Sequence, residues 1–278
     1  MFSGCYYFFR KSFLYTQRTI NGGCDVLKTK YLIEEMTSAE FVQAVKRTDT
    51  VIVPMGTLEQ HGPHLPLGTD VAIPIEIAKR VAERKTVLVA PPIYYGNSTI
   101  MDEMEGVISI TPETLSCLAL DLSKSFSKKG LRKIVFLNGH GDNTCVLRFI
   151  GHRARIESGA LIVLIDWWTI ASEEISKICE SEIYHADEGE TSMMLACRPK
   201  CVKMEKATKD FFRRNLLMKM TDGKPKNMPL VFLPFQKAYT TTGTVGDATK
   251  ASVGKGEKIL EAVVTNICNF LTHADESM

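Results

Sequence analysis

The chain has 278 residues, of which 45% are hydrophobic, and this is enough to form the core of one sizeable domain. Lys and Arg together number 34 and Asp and Glu 32, so the formal net charge is only +2. A chain this balanced lacks the basic surplus typical of nucleic-acid-binding proteins, and we predict no nucleic-acid partner. It contains no apolar run of about 18 residues, the minimum for a membrane-spanning helix, so we predict no membrane association.

The eight cysteines form no CxxC pair and are too sparse for a disulfide scaffold. Cys117, Cys145 and Cys268 lie in apolar helical stretches, where a thiol is expected to pack as a small hydrophobic side chain. These features predict a reducing, cytoplasmic location. Residues 1–30 are aromatic and basic but lack the apolar core and cleavage site of a signal peptide. We therefore predict a poorly ordered N-terminal extension.

From residue 31 onward, apolar runs alternate with amphipathic stretches. The apolar runs predict buried strands at 50–56, 86–93, 133–137 and 161–167. The amphipathic stretches and their caps predict helices from about 37, then at 73–84, 111–129, 143–158, 171–181, 190–197 and 255–271. Strands rich in Val, Ile and Leu that alternate with helices are typical of a mainly parallel sheet covered on both faces. The sequence therefore predicts a single three-layer αβα domain over residues 31–278.

The first polar cluster follows the first predicted strand directly. It places Glu59, His61, His64 and Asp70 in a loop rich in Gly and Pro. Ligands bind beyond the carboxyl ends of strands in open α/β sheets, and imidazole with carboxylate suits Zn, Mn or Fe. Glu59 and His61 are two residues apart, so an extended backbone would point both to one side. The alternative is a hydrogen-bonded loop in which both histidines are ordinary polar residues.

The second polar cluster, at 138–143, follows the strand predicted at 133–137. Glycines on both sides of His140 let the backbone come close to a ligand. The helix that begins near Asn143 directs its amide groups and positive end into the same region, where negative charge on a tetrahedral intermediate could be stabilised. The alternative makes Asn143 a helix cap and His140 a turn residue.

The third polar cluster contains His185, Asp187, Glu188 and Glu190, and it precedes the helix predicted at 190–197. Acidic residues near a helix N-terminus are favoured by the helix dipole alone, so capping is the alternative for each acid. Helix capping, which could explain the acids, does not explain the histidine at position 185. Four of the six histidines lie in the three clusters, and their convergence on one edge of a sheet predicts a metal site.

The segments GTLEQHGPHLPLGTD (56–70), NGHGDN (138–143) and HADEGETS (185–192) resemble the three signature motifs of the creatininase family, the creatinine amidohydrolases. The resemblance runs from about residue 31 to the C-terminus. It implies a three-layer αβα amidohydrolase with two divalent metal ions per chain, Zn, Mn or Fe. It also implies a small-molecule amide substrate and assembly into homo-oligomers, often hexamers.

The resemblance implies a ligand set by motif position. Glu59 and His140 are expected to hold one metal and His61 the other. Asp70 is expected to bridge both, and Glu190 to supply a further carboxylate. All five are residue types that bind such metals.

The resemblance also implies catalytic roles. His185 occupies the place of the family's catalytic histidine and is expected to donate a proton to the leaving nitrogen. Glu190 or Asp142 is expected to take the proton of the metal-activated water. Asp142 stands where creatininase has a metal-binding glutamate and is one methylene shorter. The backbone N–H groups near Gly141 and Asp142 are expected to stabilise the oxyanion.

Two departures bear on the substrate. Creatininase has a tyrosine where this chain has Gly141 and a tryptophan where it has Ser181, and loss of both aromatic side chains favours a different or larger substrate. Trp167 and Trp168 follow a predicted strand, where they line the pocket or pack in the core.

The alternatives to this amidohydrolase function are a formamide hydrolase that acts on a formylamino-pyrimidine of riboflavin or deazaflavin biosynthesis, and a metal-binding relative without catalysis.

Overall fold

In the computed structural model, which describes residues 30–211 and 240–276, four parallel strands form the central sheet. In chain order they are β1 (Thr50–Met55), β2 (Leu88–Val89), β3 (Lys133–Asn138) and β4 (Leu161–Asp166). Their spatial order is β2-β1-β3-β4, and β1 and β3 are buried because each has a strand on either side. The predicted parallel sheet is confirmed.

Helices cover both faces of this sheet. The α-helices of the described residues are α1 (Ser38–Val45), α2 (Thr69–Arg84), α3 (Pro112–Lys128), α4 (Gly141–Ser158), α5 (Trp167–Ile170), α6 (Ser172–Ile178), α7 (Glu188–Cys197) and α8 (Val253–Glu276). Side chains alternate along β1, so Ile52 packs in one core with α2, α7 and α8, whereas Val51 and Val53 pack in the other with α1, α3 and α4. This is the predicted three-layer αβα architecture. A separate antiparallel pair joins β5 (Lys209–Asp210) to β6 (Gly246–Asp247).

Several element boundaries differ from the predictions. α2 begins at Thr69, which places Asp70 in its first turn, where a carboxylate is favoured by the helix dipole. β2 is much shorter than the run at 86–93, since Pro91 and Pro92 have no N–H to donate to a neighbouring strand. α4 begins at Gly141, so its first turn follows His140 immediately.

The cysteines are only partly as predicted. The six cysteines within the described residues are free, and Cys268 is buried. Cys117 and Cys145 are exposed, so their expected packing as core residues is wrong. They lie on sides of α3 and α4 that line a surface groove instead of the sheet.

The predicted N-terminal extension lies almost entirely outside the described residues, since these begin at Lys30. Its poor order stays a prediction. Among the helices that the structure describes, none combines the length and apolar character that crossing a bilayer requires.

Candidate metal centre

Two glycines let the start of α2 sit against the ends of two strands. A Cβ added at Gly56, after β1, would lie 2.3 Å from the carbonyl oxygen of Asp70. One added at Gly139, after β3, would lie 1.9 Å from the same oxygen. Pro74 lacks the N–H that would normally bond to this carbonyl within the helix. The close approach places Asp70 between the carboxyl ends of β1 and β3.

Asp70 faces two histidines, one from each polar segment. His61 Nε2 lies 2.9 Å from Asp70 Oδ1, and His140 Nδ1 lies 3.0 Å from Asp70 Oδ2. Glu59 Oε1 is 3.3 Å from His140 Nδ1, and Glu190 Oε2 is 3.7 Å from His61 Nε2. All five side chains are buried. They form two donor groups that share Asp70, one with Glu59 and His140 and the other with His61 and Glu190.

The spacing and chemistry of these donors suit divalent cations. Ligands bonded at about 2.1 Å to one tetrahedral ion stand roughly 3.3 Å apart, which is close to the 2.9–3.7 Å between imidazole nitrogens and carboxylate oxygens here. Buried carboxylates require cationic partners, yet no Lys or Arg from the described ranges lines the adjoining cavity. Within the same ranges, the buried His140 Nε2 also lacks a hydrogen-bond partner.

The carboxylates dominate the electrostatics of the centre. Burial acts to lower the pKa of His61, but the carboxylates of Asp70, Glu190 and Glu59 together outweigh it and raise that pKa to about 10. Burial likewise opposes the charged form of His140, and Glu59 and Asp70 still raise its pKa. Burial acts to raise the pKa of Asp70, and the two imidazoles hold it low. Each histidine is thus drawn to its cationic form, and a bound metal cation would meet the same electrostatic demand.

His185 is fixed at both its backbone and its ring. It forms an antiparallel bridge with Val245, with N–H···O distances of 3.2 and 2.8 Å. Its ring Nε2 lies 2.9 Å from the backbone oxygen of Gln60, which can only accept, so Nε2–H donates. This leaves Nδ1 facing Glu59 Oε1 at 3.6 Å, on the wall of the cavity. Burial and the nearby His61 lower the pKa of His185 to about 4.

The acids of the third cluster have three different environments. Asp187 Oδ1 caps α7 and accepts the N–H groups of Gly189 and Glu190 at 2.8 and 3.1 Å. Glu188 turns away from the centre and pairs with Lys255 Nζ at 2.5 Å. Of these acids only Glu190 belongs to a donor group of the described residues. The capping alternative is therefore realised by Asp187.

The other histidines lie apart from the donor groups. His64 is only three residues from His61, but its Nε2 lies 2.9 Å from the hydroxyl oxygen of Thr191. His152 is exposed on α4, and His273 Nδ1 lies 2.8 Å from the backbone oxygen of Asn269. Among the residues that the structure describes, no potential ligand group includes any of these three.

One supporting residue was missed in the sequence. The buried Ser98 hydroxyl donates to Glu59 Oε2 at 2.5 Å, leaving Oε1 to face His140 and His185. Nearby, the Asn143 side chain accepts the N–H of Asn97 at 2.9 Å, so it ties this loop to α4. A serine outside any motif carries no signal of such a role. Its importance depends on a contact with a residue 39 positions away.

A cavity of about 340 Å³ opens onto the donor groups. Trp167 and Trp168 both line it, with their rings edge-to-face at 5.8 Å. Asp142 also lines it but belongs to none of the potential metal-ligand groups of the described residues. Burial raises the pKa of Asp142 above its usual value. Gly141 lies beside it at the start of α4.

The fold is a three-layer αβα fold whose buried donor groups could hold divalent metal ions, and comparison with known proteins gives the family. Residues 34–271 match the family described as Creatininase: Creatinine amidohydrolase, so the chain belongs to the creatininase family. The creatinine amidohydrolase of Pseudomonas putida is 29% identical over 264 residues, which are 86% of this chain and 95% of that protein. The mycofactocin precursor peptide peptidase of Mycobacterium tuberculosis is 30% identical over 248 residues, which are 84% of this chain and 88% of that protein.

A solved structure described as "Creatininase Mn" superposes with a TM-score of 0.74 at 27% identity, covering 88% of this chain and 98% of that one. These comparisons confirm the predicted family and fold. They also confirm the predicted enzyme class, a hydrolase that acts on carbon–nitrogen bonds.

Proposed function

We propose that this enzyme hydrolyses the C–N bond of a small cyclic or linear amide with two divalent metal ions, Zn, Mn or Fe. The metal ligands are Glu59, His61, Asp70, His140 and Glu190. The position of Asp70 carries the proposal, since its two oxygens lie 2.9 and 3.0 Å from nitrogens of two histidines in separate donor groups. A single carboxylate shared between two groups is the arrangement that a pair of metal ions requires.

Two divalent ions in this centre would supply Lewis acidity and a water that ionises near neutral pH. The protein holds the ligands in fixed orientations. His61 Nδ1 lies 3.1 Å from the backbone oxygen of Glu59, so Nδ1–H donates and Nε2 is left as the ligating atom. The Ser98 hydroxyl likewise fixes the orientation of Glu59, because it donates a hydrogen bond to one of the two carboxylate oxygens.

His185 is the proposed proton carrier to the leaving nitrogen. Its Nε2–H is committed to the backbone oxygen of Gln60, so the exchangeable position is Nδ1. Burial keeps the pKa of His185 low, at about 4, which makes the ring neutral at pH 7. It therefore takes a proton at Nδ1 before it gives one to nitrogen.

Asp142 and Glu190 are the two candidates to take the proton of the attacking water. Burial raises the pKa of both carboxyl groups, that of Glu190 to about 8, and both line the cavity. Glu190 faces His61 as a ligand would, whereas Asp142 stands outside the donor groups. This difference favours Asp142 as the base.

The start of α4 is the proposed oxyanion site. Gly141 and Asp142 form its first turn, where backbone N–H groups have no partner within the helix. The helix dipole adds positive potential at this end. Both residues line the cavity, which supports a role for their N–H groups in stabilising negative charge on the carbonyl oxygen of the amide.

The lining of the cavity supports a neutral amide larger than creatinine. Two tryptophans and several aliphatic side chains form its walls, and no Lys or Arg from the described residues does so. A Cβ at Gly141 would meet nothing within 4 Å, so the space is open there. The family relatives include one named for creatinine and one named for a peptide precursor, so substrates of both sizes are within reach of this fold.

The test is elemental analysis of the purified protein together with assays for ammonia, formate and ring opening on creatinine, other cyclic amides and formamides. About two metals per chain with turnover of one amide class is the expected result. Formate release alone would favour the formamide hydrolase, and bound metal without any turnover would favour the non-catalytic alternative. No metal, and no gain with added Mn or Zn, would refute the proposal. A homo-oligomeric state, of which a hexamer is the family's usual form, and a cytoplasmic location stay predictions.

A further inference from the structure

A second cavity lies beside the cavity of the metal centre. It has a volume of about 600 Å³ and runs between α3 and α4, and we call it the α3/α4 groove. Its apolar lining includes Pro112, Leu120, Val146, Phe149 and Ile150. Cavities that bind small molecules are mostly apolar in this way.

The two cavities meet at the start of α4. Ile100 and Asp142 line both of them. Gly141 stands at this junction without a side chain, and a Cβ there would meet nothing within 4 Å. The groove therefore lies next to the position that an amide group at the metal centre would occupy, with Ile100 and Asp142 between the two.

The groove presents apolar surface to solvent. Phe149 is 86% exposed although it is a large aromatic side chain, and it lines the groove from α4. The exposed thiols of Cys117 and Cys145 lie along the same groove. Apolar surface exposed beside a catalytic cavity typically marks a place where a ligand is bound.

The charges of the groove favour a neutral occupant. Arg153 is the basic residue on its wall, and it pairs with Glu157 at 2.6 Å. Glu113 and Asp142 add acidic groups. An anionic group would meet two carboxylates there and a cation that is already paired, so an uncharged apolar group is the better match.

We propose that the α3/α4 groove is a second substrate subsite, which binds an apolar or aromatic group attached to the scissile amide. The proposal rests on the proposed function, because it requires the amide to be bound at the metal centre. The substrate is the occupant because the groove adjoins the catalytic cavity, with Ile100 and Asp142 lining both. In this proposal, Phe149 makes the main contact with the apolar or aromatic group of the substrate.

The test uses two hydroxamic acids, which chelate metal ions, as probes of the metal-loaded protein. Acetohydroxamic acid occupies the metal centre alone, whereas 6-phenylhexanohydroxamic acid carries an apolar chain and a ring that can reach the groove. Calorimetric titration is expected to show the phenyl probe binding at least about tenfold more tightly, as burial of a phenyl group allows. Phe149→Ser is expected to remove most of that gain and to leave the affinity for acetohydroxamic acid within about twofold.

Ile156→Ser provides the matched control. Ile156 is also on α4 and is 72% exposed, but it lines neither cavity. This variant is expected to bind both probes as the unaltered protein does. A loss of affinity for the phenyl probe that is equal in Ile156→Ser and Phe149→Ser would overturn the assignment.

Alkylation by N-ethylmaleimide, followed by peptide mass spectrometry, gives a second readout. The phenyl probe is expected to slow the alkylation of Cys117 and Cys145, and acetohydroxamic acid is not. Cys201, which is exposed and lines neither cavity, is the internal control. If both groove thiols resist alkylation without any probe while Cys201 reacts, another chain covers the groove and the proposal fails.

The outcomes separate this proposal from the proposed function. Tight binding of acetohydroxamic acid without any gain from the phenyl chain refutes the subsite and leaves the metal-dependent function standing. Failure of both probes to bind refutes the metal centre, and the subsite falls with it.

Discussion

Two buried carboxylates stand two residues apart at the start of α7, and their surroundings are opposite. Glu188 meets a cation of the protein itself, Lys255 Nζ at 2.5 Å. Glu190 faces His61 at 3.7 Å and shares its surroundings with Asp70. The first carboxylate has its counterion within the fold, and it stabilises the packing of α7 on α8. The second carboxylate, Glu190, lies among acids whose neighbours are histidines and not Lys or Arg. Such a cluster is typical of a site that binds a metal cation.

The largest expected effect is that of Asp70→Ala. Activity is expected to fall more than about 1000-fold, because one carboxylate serves both donor groups and metal catalysis contributes several kcal/mol. Bound metal, measured by plasma emission spectrometry, is expected to fall with it. Glu188→Gln is the control that keeps its metal. Full, metal-sensitive activity in Asp70→Ala would show that the donor groups around Asp70 do not hold the catalytic metal.

Lys255→Met tests the other side of the comparison. Glu188 would be left as a buried charge without its cation, and the free energy of unfolding is expected to fall by roughly 3 kcal/mol. Urea denaturation measures this change. The metal content of the folded protein is expected to stay the same, so a loss of metal at unchanged stability would contradict the structural role of this pair.

The loss of stability in Lys255→Met is expected to depend on pH in a definite direction. Burial acts to raise the pKa of Glu188, but hydrogen bonds from Lys255 and Ser181 outweigh it and hold the pKa below the usual 4.5. A depressed pKa contributes stability above the unfolded value, and this contribution is lost as the pH falls through the folded value. The stability difference between the unaltered protein and Lys255→Met is therefore expected to be full at pH 7 and to shrink as the pH falls toward and below 4.5.

Ser98→Ala is expected to have a moderate effect. Loss of the hydroxyl that holds Glu59 Oε2 frees the carboxylate to rotate, and affinity for metal is expected to fall about 10- to 100-fold. Competition with a chelating dye measures this affinity. Ser109→Ala is the matched control, because Ser109 bonds to the backbone N–H of Ser98 and not to Glu59. Equal losses in both variants would mean that the loop, and not the contact with Glu59, sets the affinity.

The smallest effect is expected from His64→Gln. His64 bonds to Thr191 and lies outside the donor groups, so the variant is expected to lose only about 1 kcal/mol of stability and to keep its metal. His61→Gln, three positions earlier in the same loop, is expected to lose metal. Thermal unfolding and elemental analysis of both variants check the contrast. Metal loss in His64→Gln would show that His64 is a metal ligand, contrary to its contact with Thr191.

The fold and most of the centre were predictable from local patterns. Apolar runs such as 50–56 form strands because a parallel sheet covered on both faces requires continuous burial. Glu59, His61 and His140 follow two such strands, so their convergence at one sheet edge follows from the order of elements. The role expected of Asp70 came from the resemblance to a family, since no spacing rule joins it to His140.

Tertiary structure alone decided the rest. Local position does not distinguish Glu188 from Glu190, and before the structure only the resemblance to a family had singled out Glu190. The cation that pairs with Glu188 is Lys255, 67 residues away. Ser98 and the exposed thiols of the α3/α4 groove likewise depend on which helix faces are packed. Local sequence sets backbone conformation and the periodicity of burial, whereas the partner of a buried charge is chosen by contacts between distant segments, and these exist only once the chain has folded.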